Sequence, residues 1–254
     1  VTGKNEDNGL WIRRFQPRDD AAVRLVCLPH AGGSASFYFP MAKAVPAPVD
    51  VLGVQYPGRQ DRRTEPAVTD LHDLADQVTA ALLPWTDRPL ALFGHSMGAT
   101  LGYEVARRLE EHHDVVLTQL FASGRRAPSR YVHETVHLRD DDGLITELKR
   151  LSGTDSQVLG DEELLRMVLP AIRADYRAAE TYTYRPSAPL RSPVTVLTGD
   201  ADPKVTVEQA RAWAEHTEGP FDFHVFPGGH FYLANHQPQI VRIVTDRLLT
   251  ARVD

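Results

Sequence analysis

The sequence predicts an α/β domain, a mostly parallel sheet flanked by helices with one helical insertion. Three observations predict it. Short apolar runs alternate with stretches whose apolar residues recur at helical spacing, from residue 11 to 124 and again from 194 to 249. Such alternation builds strand–helix–strand units, which assemble a parallel sheet covered on both faces. Gly94-His95-Ser96-Met97-Gly98 stands between an apolar run and a helical pattern, at the centre of the first block. From Gly124 to Pro193 the alternation fails and only helical patterns remain.

The elements follow in order. Residues 11–15 read as an edge strand and 24–28 as a buried one, leading to a helix over 37–44. Residues 51–55 form the next strand. Leu71, Leu74, Ala75, Val78, Ala81 and Leu82 then recur with helical period behind a Thr69 or Asp70 cap. Leu90-Ala91-Leu92-Phe93 is a strand, and Ala99, Leu101, Val105 and Leu109 mark the helix after it. Residues 117–122 are a strand. Within the insertion, helices are expected over 144–151 and 162–169, with a separate one over 170–182 that has Pro170 near its first turn. Strand 194–198, helix 207–216, strand 221–226 and helix 238–249 complete the pattern. The division is therefore a core of 1–124 and 190–254 with a lid of 125–189. Leu164, Leu165, Val168, Leu169, Ile172, Tyr176, Ala179 and Tyr182 make the lid's inner face, chiefly as packing onto the sheet.

The G-x-S-x-G unit places Ser96 on a sharp strand-to-helix turn, a nucleophile elbow, with glycines where side chains would clash. A serine alcohol needs a base, and the base needs an orienting group. On this elbow the acid and then the histidine follow, each after a later strand. Gly199-Asp200-Ala201-Asp202 follows strand 194–198, and Pro227-Gly228-Gly229-His230 follows strand 221–226. Asp200 and Asp202 both fit. Asp202, further out on its loop, is chosen as the acid; Asp200's other role is bonding the turn's own N–H groups. For the oxyanion, Met97 supplies the amide after the nucleophile. The glycine-rich loop Pro29-His30-Ala31-Gly32-Gly33 supplies a second, assigned to Ala31. His30 is read as a ring that braces this loop.

A chain of 254 residues, 42% apolar, can bury the core of one domain. A net charge of −6 with dispersed basic residues argues against nucleic acid as the main ligand. The single cysteine, Cys27, lies in a strand pattern and reads as a small buried apolar residue. No run of 18 apolar residues appears, and the polar start up to Gly9 reads as a loose terminus without a secretory signal, so a cytoplasmic protein with no membrane contact is expected.

His133-Glu134-Thr135-Val136-His137 fits H-E-x-x-H, but that motif binds zinc only on a helix, and the β-branched residues here disfavour one. A helix start at Asp140 or Asp141 is more natural, and no metal is expected. With no G-x-G-x-x-G after a strand and no Walker lysine, no nucleotide cofactor is expected either. Arg59, Arg62, Arg63, Arg125 and Arg126 read as solvated surface with local ion pairs. The sharper reading is a basic rim near the site mouth. His112 and His113 read as exposed at a helix end.

Taken together, Pro29-His30-Ala31-Gly32-Gly33, Tyr56-Pro57-Gly58-Arg59-Gln60-Asp61-Arg62, Gly94-His95-Ser96-Met97-Gly98-Ala99, Gly199-Asp200-Ala201-Asp202-Pro203 and Gly228-Gly229-His230-Phe231-Tyr232 resemble the type II thioesterases that accompany polyketide synthases and nonribosomal peptide synthetases. The resemblance runs from about Trp11 to Leu249. It implies an α/β-hydrolase fold with a helical lid, and hydrolysis of acyl groups from the phosphopantetheine thiol of carrier proteins, clearing stalled or mis-primed units. It implies Ser96 as nucleophile, His230 as base, Asp202 as its acid, and Ala31 and Met97 as oxyanion donors. No cofactor is implied, since the substrate carries the phosphopantetheine. The implied partners are transient acyl or peptidyl carrier domains, and a monomer is expected. An esterase or chain-releasing thioesterase on the same fold is the alternative, and a non-catalytic relative acting as a binding module the third.

Overall fold

The computed structural model describes residues 9–152 and 162–250. The expected loose terminus up to Gly9 lies almost wholly outside the described residues, as does the side chain of Leu164. Strands β1 (Ile12–Arg13), β2 (Val23–Leu28), β3 (Val49–Val54), β4 (Leu90–His95), β5 (Gln119–Ser123), β6 (Val194–Gly199) and β7 (Phe221–Phe226) pair in the order β1-β3-β2-β4-β5-β6-β7. β1 runs antiparallel to β3, with Ile12 opposite Val54, and the remaining pairings are parallel. This is the α/β-hydrolase architecture, and it agrees with the predicted class.

Helices cover both faces, which explains why the inner strands read as continuous apolar runs. Successive residues of a strand serve opposite cores. Val26 and Leu28 join the helices α2 (Leu71–Leu82) and α3 (Met97–His113) on one side. Leu25 and Cys27 join α1 (Phe39–Ala44) and the C-terminal helix on the other. Cys27 is fully buried, as expected. Asp70 caps α2 by accepting from the His72 and Asp73 amides. His112 and His113 are exposed at the end of α3. Among the described residues no helix is long and apolar enough to cross a membrane.

The chain leaves β2 for β3 on one side and returns to β4 on the other. The strand order reverses there, so the loops after β2 and β4 part and open a crevice at the carboxyl ends of the strands. Both the Pro29–Gly33 loop and the Ser96 turn sit at that edge.

Between β5 and β6 the described residues add helices α4 (Asp141–Ser152) and α5 (Glu162–Glu180). Asp140 accepts from the Gly143 amide at the start of α4. The two helices expected over 162–169 and 170–182 are one: Pro170 lies inside α5, not near a first turn. An interior proline removes a backbone hydrogen bond and costs about 3 kcal/mol. The helix survives because Pro170 is on its exposed side, where water reaches the freed carbonyl. The opposite stripe runs unbroken, with Leu165, Leu169, Ile172 and Tyr176 packed against Val136, Leu144 and Ile145.

After β6 come α6 (Val207–Arg211), opened by a Thr206–Gln209 capping box, then β7 and α7 (Gln237–Thr250).

Candidate active site

The turn between β4 and α3 sets the site. Ser96 has φ 54° and ψ −117°, a conformation that costs a non-glycine residue about 1–3 kcal/mol. Its amide donates to the Ser123 carbonyl at 2.8 Å. A Cβ on Gly94 would overlap the Gly98 carbonyl, and a Cβ on Gly98 would overlap the Leu28 carbonyl. The two glycines are thus required by close backbone approach, and the first turn of α3 lies directly against the end of β2. That contact brings the Met97 amide beside the loop that carries Ala31. As the first residue of α3, Met97 has an N–H with no intrahelical acceptor. Among the described residues the Ala31 amide has no acceptor either, while the Gly33 amide donates to the His30 carbonyl.

His230 arrives on the turn after β7 and is 4% exposed. Its Nε2 is 2.9 Å from Ser96 Oγ, and its Nδ1 is 2.8 Å from Asp202 Oδ2. A carboxylate only accepts, so Nδ1 carries the proton and Nε2 is left to accept from the Ser96 hydroxyl. The second Asp202 oxygen accepts from the Lys204 amide at 2.8 Å. Asp200, the alternative acid, points elsewhere: its carboxylate accepts from the Gly228 amide at 2.9 Å. Its own amide donates to the Phe226 carbonyl. Asp200 therefore ties the β6 loop to the turn that carries His230, while Asp202 meets the imidazole.

Several residues at the site were not singled out from sequence. His95, between Gly94 and Ser96, is fully buried, with its ring 5.2 Å from that of His230. Its Nδ1 is 2.9 Å from Ser123 Oγ, which is 2.6 Å from the Tyr232 hydroxyl. This chain locks the floor under His230. Its signals in the sequence were weak: a histidine inside the elbow motif and a tyrosine two residues after His230. His30 does brace its loop, edge-on to Phe37 at 4.6 Å and Phe231 at 4.9 Å.

Burial pushes His30 down to about 3, helped by His230 and Arg59, and burial with His230 and His30 pushes His95 well below its ordinary value. Both rings are neutral in the fold but take protons near pH 6.5 when unfolded. The unfolded state then binds more protons, so stability present above pH 6.5 is lost as pH falls below it. The slope is about 1.4 kcal/mol per pH unit for each ring. The unfolding free energy measured in urea is expected to fall steadily from pH 6.5 to 4.5, and His30→Phe to reduce that slope. A flat profile in the wild type would contradict the assignment.

The basic residues do not form a solvated surface. Arg59, Arg62 and Arg126 are buried: Arg59 pairs with Asp175 of α5, while Arg62 lies over the Trp11 ring and donates to the Gln55 carbonyl. Arg62 grips Glu65 at 2.6 and 2.8 Å, and Arg126 pairs with Glu134. Arg125 bonds Thr100 Oγ1 at 3.0 Å and the Ala179 carbonyl at 3.3 Å. Arg63 is exposed. The expected local ion pairs occur at Arg62 and Arg126 and the expected exposure at Arg63, whereas Arg59 is buried against the distant Asp175. The H-E-x-x-H segment forms no α-helix: residues 133–135 are irregular and a short 3-10 helix begins only at Val136. Glu134 is taken by Arg126 and Lys204 and His137 by Glu180 at 2.5 Å, and no three metal-ligating side chains cluster among the described residues.

The arrangement is that of an alcohol set to attack a carbonyl, with a base in contact and amides nearby. Comparison with known proteins decides the family: the thioesterase domain profile matches residues 23–248. The chain belongs to the thioesterase family. It is a hydrolase of thioesters. The sequence is 52% identical over 249 residues to thioesterase PikA5 of Streptomyces venezuelae, spanning 98% of this chain and 89% of that protein. The structure of the type II thioesterase BorB, from the borrelidin biosynthetic cluster, superposes with a TM-score of 0.90 at 54% identity. It covers 94% of this chain and 98% of BorB. YbtT, a type II thioesterase from the yersiniabactin pathway, gives 0.83 at 29% identity, over 93% and 97% of the two chains. BorB and YbtT are type II thioesterases of biosynthetic pathways, that of YbtT a nonribosomal peptide/polyketide one, which is the class the sequence motifs implied.

Proposed function

We propose that this thioesterase edits carrier-bound acyl groups, with Ser96 as nucleophile, His230 as general base and acid, and Asp202 orienting the imidazole. The observation that carries this reading is the unbroken chain Ser96–His230–Asp202, with contacts of 2.9 and 2.8 Å, at the crevice of a thioesterase fold. His230 Nε2 takes the Ser96 proton as Oγ bonds to the thioester carbonyl carbon. The Ala31 and Met97 amides hold the oxyanion. The C–S bond breaks, and the phosphopantetheine thiolate leaves with the proton from His230. Water then attacks the acyl-serine, His230 again taking and returning the proton, and a carboxylic acid is released. No step calls for a cofactor.

The same reading takes residues 125–189 as a lid on the core of 1–124 and 190–254. The substrate is an acyl or peptidyl carrier domain engaged transiently by a monomer in the cytoplasm. One carrier protein loaded in turn with acetyl, propionyl, butyryl and longer groups tests it, against simple p-nitrophenyl esters. Hydrolysis of acyl-carrier substrates at kcat/KM at least tenfold above the ester of the same acyl group is expected. The reverse preference would make the protein a general esterase.

A further inference from the structure

We propose that Asp175 and Arg59 are positioning residues for the oxyanion loop. Asp175 comes from helix α5 of the lid and Arg59 from the loop after β3. Their ion pair holds the peptides that follow the Ala31 amide, so the lid helix is a working part of the oxyanion hole. The inference rests on the thioesterase reading above.

The pair is buried, with Arg59 8% exposed and Asp175 2%. Its contacts are bidentate: Arg59 Nη1 to Asp175 Oδ2 at 2.6 Å and Nη2 to Oδ1 at 2.7 Å. Each partner also reaches the loop after β2. Asp175 Oδ2 accepts from the Gly32 amide at 2.7 Å, and Arg59 Nη1 donates to the Gly33 carbonyl at 3.0 Å. The Gly33 amide closes onto the His30 carbonyl, which makes Ala31 and Gly32 the centre of a turn, with Gly32 at φ 79°. Such a turn with glycine in its third place has an alternative in which the central peptide is flipped. By accepting from Gly32, Asp175 selects one of the two. Of the loop's amides at 31–33, those of Gly32 and Gly33 are then engaged. Only that of Ala31 is left for the substrate.

Packing runs the same way. The Ala31 side chain joins the apolar cluster of Ile172 and Tyr176 on α5. A Cβ on Gly32 would come within 2.9 Å of Ile172 Cγ1. On the core side, Arg59 lies 5.1 Å from the Tyr56 ring, and the Tyr56 hydroxyl donates to the Pro29 carbonyl at 3.1 Å. The loop is thus clamped between β3 and the lid helix. A buried ion pair adds little net stability compared with well-packed apolar groups of like volume. Here its distinctive yield is the orientation of two peptide groups.

That contrast supplies the test. The double variant Arg59→Met/Asp175→Leu replaces the pair by apolar groups and leaves no lone buried charge, so it is expected to stay folded, with a thermal midpoint lowered by no more than the loss of two backbone partners requires. It lacks the acceptor for Gly32 and the donor for Gly33. Losing an oxyanion donor outright costs about 10²–10³ in rate. A donor present but misaimed is expected to lower kcat for acyl-carrier hydrolysis about 10- to 100-fold, with KM within about twofold. Affinity for an acyl trifluoromethyl ketone, whose serine adduct puts its oxyanion in the same hole, should fall by the same factor as kcat. Asp175→Asn keeps one acceptor for Gly32 and should show a smaller loss of the same kind. It carries the comparison if the double variant does not unfold cooperatively. A wild-type protein inert on acyl-carriers would sink the thioesterase reading itself. With an active wild type, a variant that keeps its kcat, or loses only in KM, overturns the positioning role.

Discussion

Ser96→Ala is expected to abolish turnover of acyl-carrier thioesters, lowering kcat on the order of 10⁵-fold or more, while leaving the fold and carrier affinity in place. The size follows from the mechanism. Without Oγ no acyl-enzyme forms, and His230 and Asp202 have no alcohol to activate. What remains is the oxyanion hole acting on water, which in serine hydrolases retains about 10³–10⁴-fold over solution. The unchanged fold follows from the backbone. Alanine keeps the Cβ that makes φ 54° unfavourable, so the strain at the elbow is the same in both proteins. Ser96→Gly separates the two effects. It should be equally inactive yet more stable, by about 1 kcal/mol once glycine's own entropy is allowed for. In a domain of this size that raises the thermal midpoint by roughly 2–4 °C. The measurements are single-turnover hydrolysis with quenched acyl-carrier, calorimetry, and carrier binding by fluorescence anisotropy. Residual turnover above about 1% in Ser96→Ala would remove Ser96 from the chemistry, and equal midpoints for the alanine and glycine variants would remove the strain argument.

Much of this architecture could be read from residue patterns because the strands buried on both faces are written as plain apolar runs. The elbow glycines declare a close approach that no other residue permits. Convergence was legible for the same reason: His230 and Asp202 each follow a strand, and parallel strands deliver their exits to one edge. The misreadings share a cause. Burial of a charge depends on what a distant segment lays over it. Arg59 looks like a surface residue until Asp175 of α5, 116 residues away in sequence, pairs with it, and Arg126 until Glu134 does. Pro170 reads as a helix start because periodicity cannot tell a start from a tolerated interior proline. Only the exposure of that face decides. The His95–Ser123–Tyr232 chain joins the ends of β4 and β5 to the turn after His230, and its residues lie too far apart in sequence to give more than a weak signal.

Asp202→Asn is expected to lower kcat about 10⁴-fold, and Asp200→Asn to lower it less than about tenfold. The two residues are near neighbours with the same carboxylate, so the contrast isolates position. Asn at 202 can offer its NH₂ to His230 Nδ1 and force the proton onto Nε2. The imidazole then faces Ser96 as a donor and cannot accept its proton. Asn at 200 keeps a carbonyl oxygen for the Gly228 amide, so the turn that presents His230 survives. What that variant loses is the charge on the acceptor, a cost of about 1 kcal/mol in stability. The pH profiles should differ too. Asp202→Asn should recover activity as pH rises and hydroxide generates the serine alkoxide, while Asp200→Asn should keep the wild-type profile. Replacing Asp202 by Ala removes the wrong-tautomer donor and should be no worse than Asn, which separates misorientation of the ring from loss of the charge. An Asp200→Asn protein as inactive as Asp202→Asn would mean that the imidazole is aimed mainly by the turn, and the 2.8 Å contact with Asp202 would no longer account for its orientation.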